Sequence, residues 1–356
     1  MTRDPGSRST PGRRRPISDR RAVADGAFAL ARADRERLEA RLRLALRRAR
    51  RDGAPALATI TVALAPDADP SAIVCASRRA GERWFTFEQP ERGGAAVAGL
   101  GEAIAIEARG ERRFATVAER WRALSAAAPD PGDEAAGGAV AVGGFAFAPD
   151  GGASPHWTGF APASLTVPEV AISRRLRGAQ PTVQLTLAAS ASPDDMPEEL
   201  LLRLQRRLGE LRMTPLPLLD PAPTGRFQVA SAMPPAHYEG AVTRAVELIA
   251  AGELQKIVLA REVQVHAPRT YEPAAVFAVL REEFPSCFCF CVGRGDATLI
   301  AASPELLVRR EGHRVSTLAL AGSTRRSADP AVDAIWESSC CATRATARST
   351  RSSRGG

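Results

Sequence analysis

Lysine is almost absent from this 356-residue sequence: of its 48 basic side chains one, Lys256, is a lysine and the others are arginines. In such a sequence a cation that only has to face solvent is expected to be arginine as well. A lysine differs because its amine can lose a proton at workable pH, whereas a guanidinium cannot. The survival of Lys256 therefore indicates a chemical role for its amine, and it is the first candidate functional residue.

Lys256 lies in the short apolar run 254–261, which follows Gly252 and predicts a buried strand. A lysine held among valine, isoleucine and leucine side chains loses solvation of its charged form, which is the condition for a general base. The alternative is a lysine at a strand end whose amine reaches solvent. Composition alone leaves both interpretations open.

Long apolar runs are also missing, and this excludes a membrane span, which needs about 18 or more such residues. No apolar signal core follows the arginine-rich N-terminus, so we expect a cytoplasmic protein. The net charge of +8 belongs to the two ends, with +5 in residues 1–24 and +3 in residues 335–356. Because a nucleic-acid-binding domain carries its basic surface on the folded part, we expect no nucleic-acid partner.

The six cysteines include no C-x-x-C pair. Cys287, Cys289 and Cys291 alternate with two phenylalanines, so a strand would place all three on one face. Three thiols in a row are poor tetrahedral zinc ligands. We interpret them as small buried hydrophobic residues in a reducing compartment.

Periodicity and turn residues divide the chain into five parts. These are a disordered basic segment 1–24, an N-terminal α/β half 25–214, a Pro-rich linker 215–225, a second domain 226–334, and an aperiodic, disordered tail 335–356. Helices are predicted at 34–51, 197–211, 235–250 and 273–283. Strands are predicted at 58–64, 84–87, 103–108, 139–147, 167–173 and 182–187, and a meander at 286–292, 298–302, 306–310 and 315–320. The fold class is therefore α+β, with layered antiparallel sheets and helices.

Three polar groups follow apolar strands in the second domain. Lys256 is the candidate base, and Glu305, just past a Ser-Pro bend, is a candidate acid, because a partly buried carboxyl keeps a proton that it can donate. Gly322 lets a backbone amide approach a ligand closely, and Ser323 adds a hydroxyl. A base, an acid and an anion cradle fit proton-coupled addition and elimination on a carboxylate substrate, although strand-end polar residues without a function give the same pattern.

Residues 236–333 resemble the start of the chorismate-binding domain of isochorismate synthases, which are related to salicylate synthases, anthranilate synthase large subunits and aminodeoxychorismate synthases. The motifs that carry the resemblance surround Lys256 (254–261), Glu305 (302–307) and Leu320-Ala321-Gly322-Ser323. Upstream motifs at 83–87, 99–103, 113–114, 143–147 and 157–160 extend it over roughly residues 25–334. The resemblance implies the fold of chorismate-utilising enzymes.

The resemblance also implies a reaction. In isochorismate and salicylate synthases a lysine at the position of Lys256 activates the water that attacks C2 of chorismate, whereas anthranilate and aminodeoxychorismate synthases typically lack it. Ala321 agrees, because aminodeoxychorismate synthases usually carry a lysine there. Glu305 would protonate the departing C4 hydroxyl, and Leu320, Ala321, Gly322 and Ser323 would lie against the substrate. The implied activity is isochorismate synthase, in menaquinone or siderophore biosynthesis, with chorismate as substrate, Mg²⁺ as cofactor and no glutaminase partner.

The resemblance stops near Ala334. Family members continue with two glutamates that bind Mg²⁺, which this chain lacks, so we expect a fold that is incomplete at the C-terminus, no metal ligands here and an inactive chain. A shifted reading frame starting at the codon of Ile335 can encode an acidic-His-acidic helix of the kind that the family places next, so we interpret 335–356 as out of frame. The alternatives are a salicylate synthase-like enzyme, an anthranilate synthase component I-like enzyme and a non-catalytic pseudogene fragment.

Overall fold

The computed structural model describes residues 28–127, 138–152, 154–177, 180–221, 223–318 and 324–342. The basic segment 1–24 and the motif Leu320, Ala321, Gly322 and Ser323 lie outside these ranges. The chain forms two compact units: the first comprises Met1–Pro215 and Val292–Leu299, and the second comprises Leu216–Cys291 and Ile300–Gly356. The division after Pro215 lies at the start of the Pro-rich segment, but no sequence pattern predicted that residues 292–299 group with the first unit.

Helices and antiparallel strands alternate in the first unit. In chain order they are α1 (Arg32–Asp52), β1 (Ala56–Leu64), α2 (Pro70–Ser77), β2 (Trp84–Gln89), β3 (Ala95–Leu100), β4 (Ile104–Ala108), α3 (Arg113–Ala127), β5 (Val142–Phe145), β6 (Ala163–Val167), β7 (Val170–Arg177), β8 (Gln180–Ala191) and α4 (Pro197–Gly209). The sequence predicted α1 and α4 to within two residues at either end. It missed α2, β3 and α3.

The remaining elements belong mainly to the second unit. They are β9 (Gln228–Ser231), α5 (Pro235–Ala250), β10 (Val263–His266), α6 (Pro273–Glu283), β11 (Phe288–Arg294), β12 (Ala297–Ser303), β13 (Arg309–Glu311), β14 (Arg314–Ser316) and α7 (Pro330–Ala342). The bounds of α5 and α6 agree with the prediction. Gly252, at φ 77°, follows α5 in the left-handed conformation that favours glycine.

The strands form one large sheet and three small ones. The seven-stranded sheet has the order β1-β8-β7-β3-β2-β11-β12, and a three-stranded sheet has the order β4-β6-β5. β9 pairs with β10, and β13 with β14. The registers along β1–β8, β8–β7, β7–β3 and β3–β2 are all antiparallel. The predicted α+β class with antiparallel sheets is therefore confirmed.

One predicted strand, 167–173, is two strands in different sheets. β6 ends at Val167 and pairs with β4 and β5, whereas β7 begins at Val170 and pairs with β3 and β8. Pro168 separates them, and because proline has no backbone N–H it cannot continue a strand ladder. The apolar pattern runs through the break because both strands bury their side chains.

The core of the first unit is built from helix faces on the large sheet. Leu38, Leu42 and Leu46 of α1 are 0–3% exposed, as their spacing of four residues predicts, and α1 packs on β1 and α4. α4 ends on a buried charge: Arg207, 1% exposed, donates from Nη2 to both carboxylate oxygens of Glu82 at 2.6 and 2.7 Å. Its Nη1 donates to Glu210 at 2.8 Å. Met196 is the N-cap of α4 and makes no side-chain capping hydrogen bond, and the preceding Asp195 accepts from Ser192 N–H.

Helix α5 in the second unit is amphipathic but largely uncovered. Of the apolar face predicted for it, Val242, Val246 and Ile249 are 38%, 59% and 40% exposed and Tyr238 is half-buried. Ala245 is the one buried residue recorded for this helix. The amphipathic pattern correctly predicted the helix, but no described element buries the apolar side chains of α5.

The predicted disordered tail is partly wrong. Residues 335–342 form the C-terminal part of α7, which begins at Pro330. Asp333, in its first turn, accepts hydrogen bonds from the Arg326 guanidinium and from Ser327 N–H at 2.9 and 3.0 Å. Residues 343–356 lie outside the described part of the chain. Among the described helices, none combines the length and the apolar character that a bilayer crossing requires.

Candidate active site

Lys256 lies in an extended segment between α5 and β10 that forms no strand, and its side chain is exposed. Its neighbours Ile257 and Val258 are 43% and 83% exposed. The predicted buried strand is therefore wrong for the described chain. The exposure of the side chain agrees with the second of the two interpretations that composition left open.

The physical reason is that an apolar run becomes a strand only when a neighbouring strand accepts and donates its backbone hydrogen bonds. Within the described ranges no strand pairs with residues 254–261, since β10 begins at Val263 and pairs with β9. The start of the segment is anchored to α5, because Glu253 N–H and Leu254 N–H both donate to the Leu248 carbonyl, at 3.0 and 3.3 Å. Lys256 lies two residues after Leu254, the second of the two residues that donate to this carbonyl.

Glu305 lies just beyond the end of β12, as the Ser-Pro bend predicts. β12 ends at Ser303, and residues 304–308 form an extended connection to β13 in which Glu305 is exposed. Leu307 and Val308 in the same connection are 86% and 57% exposed. The predicted position at a strand end is confirmed, but the predicted partial burial of the carboxyl is not present in the described chain.

A hairpin brings the Glu305 connection beside the segment that leads to the third motif. In β13 and β14, Arg309 lies opposite Ser316 and Glu311 opposite Arg314. Beyond the paired residues, Thr317 Oγ1 donates to the Leu307 carbonyl at 2.6 Å and Leu318 N–H donates to the Leu306 carbonyl at 3.4 Å. Leu318 is the last described residue before Leu320, Ala321, Gly322 and Ser323. These hydrogen bonds hold the residues that follow Glu305 beside the residues that lead to the motif 320–323. A single site that contains both Glu305 and this motif requires that proximity.

The three thiols are buried, as predicted, although Cys287 lies just before β11 and only Cys289 and Cys291 belong to the strand. Cys287, Cys289 and Cys291 are 8%, 0% and 0% exposed. The Cys289 thiol donates to the carbonyls of Leu280 and Phe284 at 3.6 Å each. These contacts belong to the packing of β11 on α6, and they give the cysteines a structural role.

Potential metal ligands do not cluster among the described residues. In the described ranges, no group of three or more His, Cys, Asp or Glu side chains is arranged to hold a metal ion. Oxygen ligands from at least one or two carboxylates are what Mg²⁺ requires of a protein. The cofactor that the resemblance implies has no ligand set among these residues.

Sequence reasoning missed one charged cluster, which lies in the first unit around Arg294. Arg294 is 8% exposed although it is an arginine, and Arg83, which forms ion pairs with Glu102 and Glu107, acts on it electrostatically. The available signal was the placement of Arg294 between Gly293 and Gly295 at the end of an apolar strand. A long side chain flanked by two glycines at a turn indicates a close approach of the backbone.

Comparisons with known proteins find relatives among the enzymes that the sequence motifs resemble. The family described as chorismate binding enzyme matches residues 44–342. The salicylate biosynthesis isochorismate synthase of Pseudomonas aeruginosa is 33% identical over 254 residues, which cover 70% of this chain and 50% of that protein. Anthranilate synthase component 1 of Haloferax volcanii is 31% identical over 156 residues, covering 42% of this chain and 29% of that protein.

Among solved structures, MenF, the menaquinone-specific isochorismate synthase from Escherichia coli, superimposes with a TM-score of 0.65. The alignment has 22% sequence identity and covers 87% of this chain and 66% of that one, so it shows a shared fold. The chain spans about half the length of the P. aeruginosa relative, and less of the H. volcanii one.

Proposed function

Because this chain belongs to the chorismate-binding enzyme family, we propose that its activity is that of an isochorismate synthase. The reaction converts chorismate to isochorismate by adding water at C2 while the C4 hydroxyl leaves. We place it in menaquinone or siderophore biosynthesis in the cytoplasm, with no glutaminase, nucleic-acid or membrane partner. The isochorismate synthases among its relatives support this choice of reaction.

The observation that carries the proposal is the identity of residue 256. Anthranilate and aminodeoxychorismate synthases, which the sequence also resembles, attack C2 with ammonia and do not need a base for water. A water nucleophile has to lose a proton as it attacks, and an amine can accept that proton, whereas an arginine cannot. In a chain whose other basic side chains are all arginines, residue 256 is a lysine.

The proposed roles balance the reaction. Lys256 takes a proton from water, whose oxygen forms the new bond to C2. The double bonds of the ring shift, the bond from C4 to its hydroxyl breaks, and Glu305 supplies the proton with which that hydroxyl departs as water. Leu320, Ala321, Gly322 and Ser323 would bind the substrate, with Gly322 and Ser323 against its carboxylate. Mg²⁺ would supply charge neutralisation for a substrate carboxylate when bound, and its ligands are not among the described residues.

Two neighbouring reactions are the alternatives. A salicylate synthase-like enzyme would carry the same first step further and release pyruvate. An anthranilate synthase component I-like enzyme would add ammonia. The similarity to the H. volcanii protein supports this alternative. The products of the three reactions differ, so one product analysis separates them.

The test begins with the gene. Resequencing across codons 325–360 decides which polypeptide is expressed. That product and the 356-residue chain are then each incubated with chorismate, Mg²⁺ and ammonium, and the products are separated by chromatography. We expect isochorismate as the product, without an aminated product and without release of pyruvate.

Lys256→Arg is the decisive variant, because it keeps the positive charge and removes the base. We expect it to lower kcat by a factor of about 10² to 10⁴. Arg261→Lys, in the same segment, is the matched control and should leave kcat within about threefold, since it places an amine where no proton transfer is proposed. An aminated product, release of pyruvate, or full activity of Lys256→Arg would refute the proposal.

A further inference from the structure

A cleft of about 570 Å³ lies in the first unit, at the turn between β11 and β12. Its lining includes Arg83, Thr158, Gly159, Arg294 and Asp296. A second cleft of about 360 Å³ shares Arg83, Thr158 and Gly159 with it. Neither cleft is lined by a residue to which the proposed reaction assigns a role. Clefts of this size are typical of sites for small molecules.

Arg294 is a buried cation whose charge has little local compensation. It is 8% exposed, and its Nη1 donates to the carbonyl of Gly293 at 2.9 Å. In the part of the chain that the structure describes, no carboxylate forms an ion pair with it. Desolvation, followed by the positive charge of Arg83, lowers the pKa of Arg294 from the ordinary arginine value, and Glu102 and Glu107 offset only part of this.

Arg83 supplies a second guanidinium, and one of its nitrogens has no hydrogen-bond partner among the described residues. Its Nε pairs with Glu102 at 3.0 Å and its Nη2 with Glu107 at 2.9 Å. Its Nη1 is buried and has no hydrogen-bond partner among the described residues. Both carboxylates of the cluster are thus paired with Arg83, and neither reaches Arg294. Buried polar groups in native proteins are normally hydrogen-bonded, so this donor needs a partner such as an ordered water or a bound ligand.

Two glycines bring these groups together. A Cβ on Gly293 would overlap the indole ring of Trp84, so only glycine lets β11 lie this close to that ring. Gly159, at φ 88°, allows the turn after Trp157 to approach Arg294, where an added Cβ would lie 3.4 Å from the Cβ of Arg294. The cleft therefore depends on specific residues of three segments that are distant in sequence.

We propose that this cleft binds a small oxyanion, with the carboxylate or phosphate group held between the guanidinium groups of Arg83 and Arg294. A planar guanidinium matches either group with two parallel hydrogen bonds. The bound anion accepts hydrogen bonds from guanidinium N–H groups at the cleft and neutralises the second positive charge. The exposed carboxylate of Asp296 at the same cleft opposes binding and limits the affinity.

The test uses the 356-residue chain and two probes, inorganic phosphate and benzoate, each compared with sodium chloride at equal ionic strength. Thermal unfolding followed by circular dichroism reports binding, because a ligand that binds the folded state raises Tm in a saturable way. We expect a rise with at least one probe. Stabilisation by phosphate alone identifies a phosphate site, stabilisation by benzoate alone identifies an organic carboxylate site, and no rise beyond chloride refutes the proposal.

Variants separate binding from a structural role. Arg294→Met keeps the apolar stem and should weaken binding by about tenfold or more, while Tm without ligand should be equal to or above that of the wild type, because an uncompensated buried charge is removed. The control Arg112→Met, at an exposed arginine, should keep the full ligand response. A normal ligand response in Arg294→Met, or a lowered Tm without ligand, would overturn the assignment.

If Arg294→Met does not fold, Asp296→Asn still decides the question. It removes a negative charge from the cleft and leaves both arginines in place, so we expect affinity for the same probe to rise by about two- to fivefold at low salt. Unchanged or weaker binding contradicts the proposed position of the anion. The result does not depend on the chorismate reaction.

Discussion

Helices α4 and α5 have similar lengths, 13 and 16 residues, and both carry an apolar face. In α4 the apolar face is covered, and Leu200, Leu204 and Leu208 are 3%, 0% and 5% exposed. In α5 the corresponding face remains open, with Val246 59% and Ile249 40% exposed. The difference lies in the neighbours, since α4 packs on α1 and β8. An amphipathic pattern therefore forms a helix in both units, whereas its contribution to stability depends on what packs against it.

The same contrast holds for the charged groups of the two units. In the first unit Arg207 is 1% exposed and is held by Glu82 and Glu210. In the second unit the candidate catalytic residues Lys256 and Glu305 are exposed on extended connections. The first unit holds Arg207 by packing and ion pairs, whereas the described part of the second unit presents Lys256 and Glu305 on exposed segments outside its assigned strands. Four measurements test this comparison.

The largest effect is expected in proteolysis at Lys256. A lysine-specific endoprotease has a single site in this chain, and cleavage there gives fragments of 256 and 100 residues. Because the segment is extended, exposed and outside any strand, cleavage of the folded chain should proceed within about tenfold of the rate for the unfolded chain. Electrophoresis with mass spectrometry measures it. If the folded chain resists the protease until it unfolds globally, the segment around Lys256 is protected. The described contrast between the two units is then wrong.

The next effect concerns Arg207. Arg207→Met leaves the carboxylate of Glu82 without its partner in a buried position, so the free energy of unfolding should fall by about 3–5 kcal/mol. Arg206→Met, at the exposed neighbouring position, should change it by about 0.5 kcal/mol or less. Urea unfolding curves measure both. Equal effects would mean that the buried ion pair does not stabilise the first unit.

A matched pair of truncations compares the two helices directly. Leu204→Ala creates a cavity in the core of the first unit and should cost about 3 kcal/mol. Ile249→Ala removes a side chain of similar size that is 40% exposed, and should cost about 1 kcal/mol or less. Unfolding by urea, followed separately by probes in each unit, gives the two values. A larger loss for Ile249→Ala would indicate that α5 is covered in solution.

The smallest effect is a pH dependence at Glu210. Hydrogen bonding from Arg79, with a further contribution from Arg207, holds the pKa of the Glu210 carboxyl below its usual range, although partial burial opposes this. A lowered pKa in the folded state means that the stabilisation is present above the pKa of the unfolded chain and is lost as pH falls through the folded value. The difference in stability between the wild type and Glu210→Gln should therefore shrink on acidification. A difference that grows at low pH would contradict the assignment.

Much of the fold could be predicted from local sequence because its signals are local. Pro235 and Gly252 bound α5, Pro273 begins α6, and the leucines of α1 have helical spacing. The elements that were missed carry weaker patterns. α3 and β3 are rich in alanine, whose side chain marks neither a helix face nor a strand face, and α2 is buried nearly all round.

The candidate site was predicted as three sequence positions, and these were found from residue chemistry and family resemblance. Their burial could not be found in this way, because desolvation is a property of neighbours that are distant in sequence. Glu305 was placed correctly after its strand because Ser303 and Pro304 end β12 locally. Lys256 was assigned to a strand that requires a partner, and the described chain provides none.

By itself the sequence determined the helices with clear start and stop residues, the alternation of Cys287, Cys289 and Cys291 on one strand face, the antiparallel class and the chemistry available at Lys256 and Glu305. Only the tertiary structure decided which apolar faces are buried, where the 167–173 run breaks between two sheets, and that Arg83 and Arg294 meet beside one cleft. The physical reason is the distance along the chain over which each interaction acts. Turn and helix signals act over a few residues, whereas burial and charge compensation arise from segments that only folding brings together.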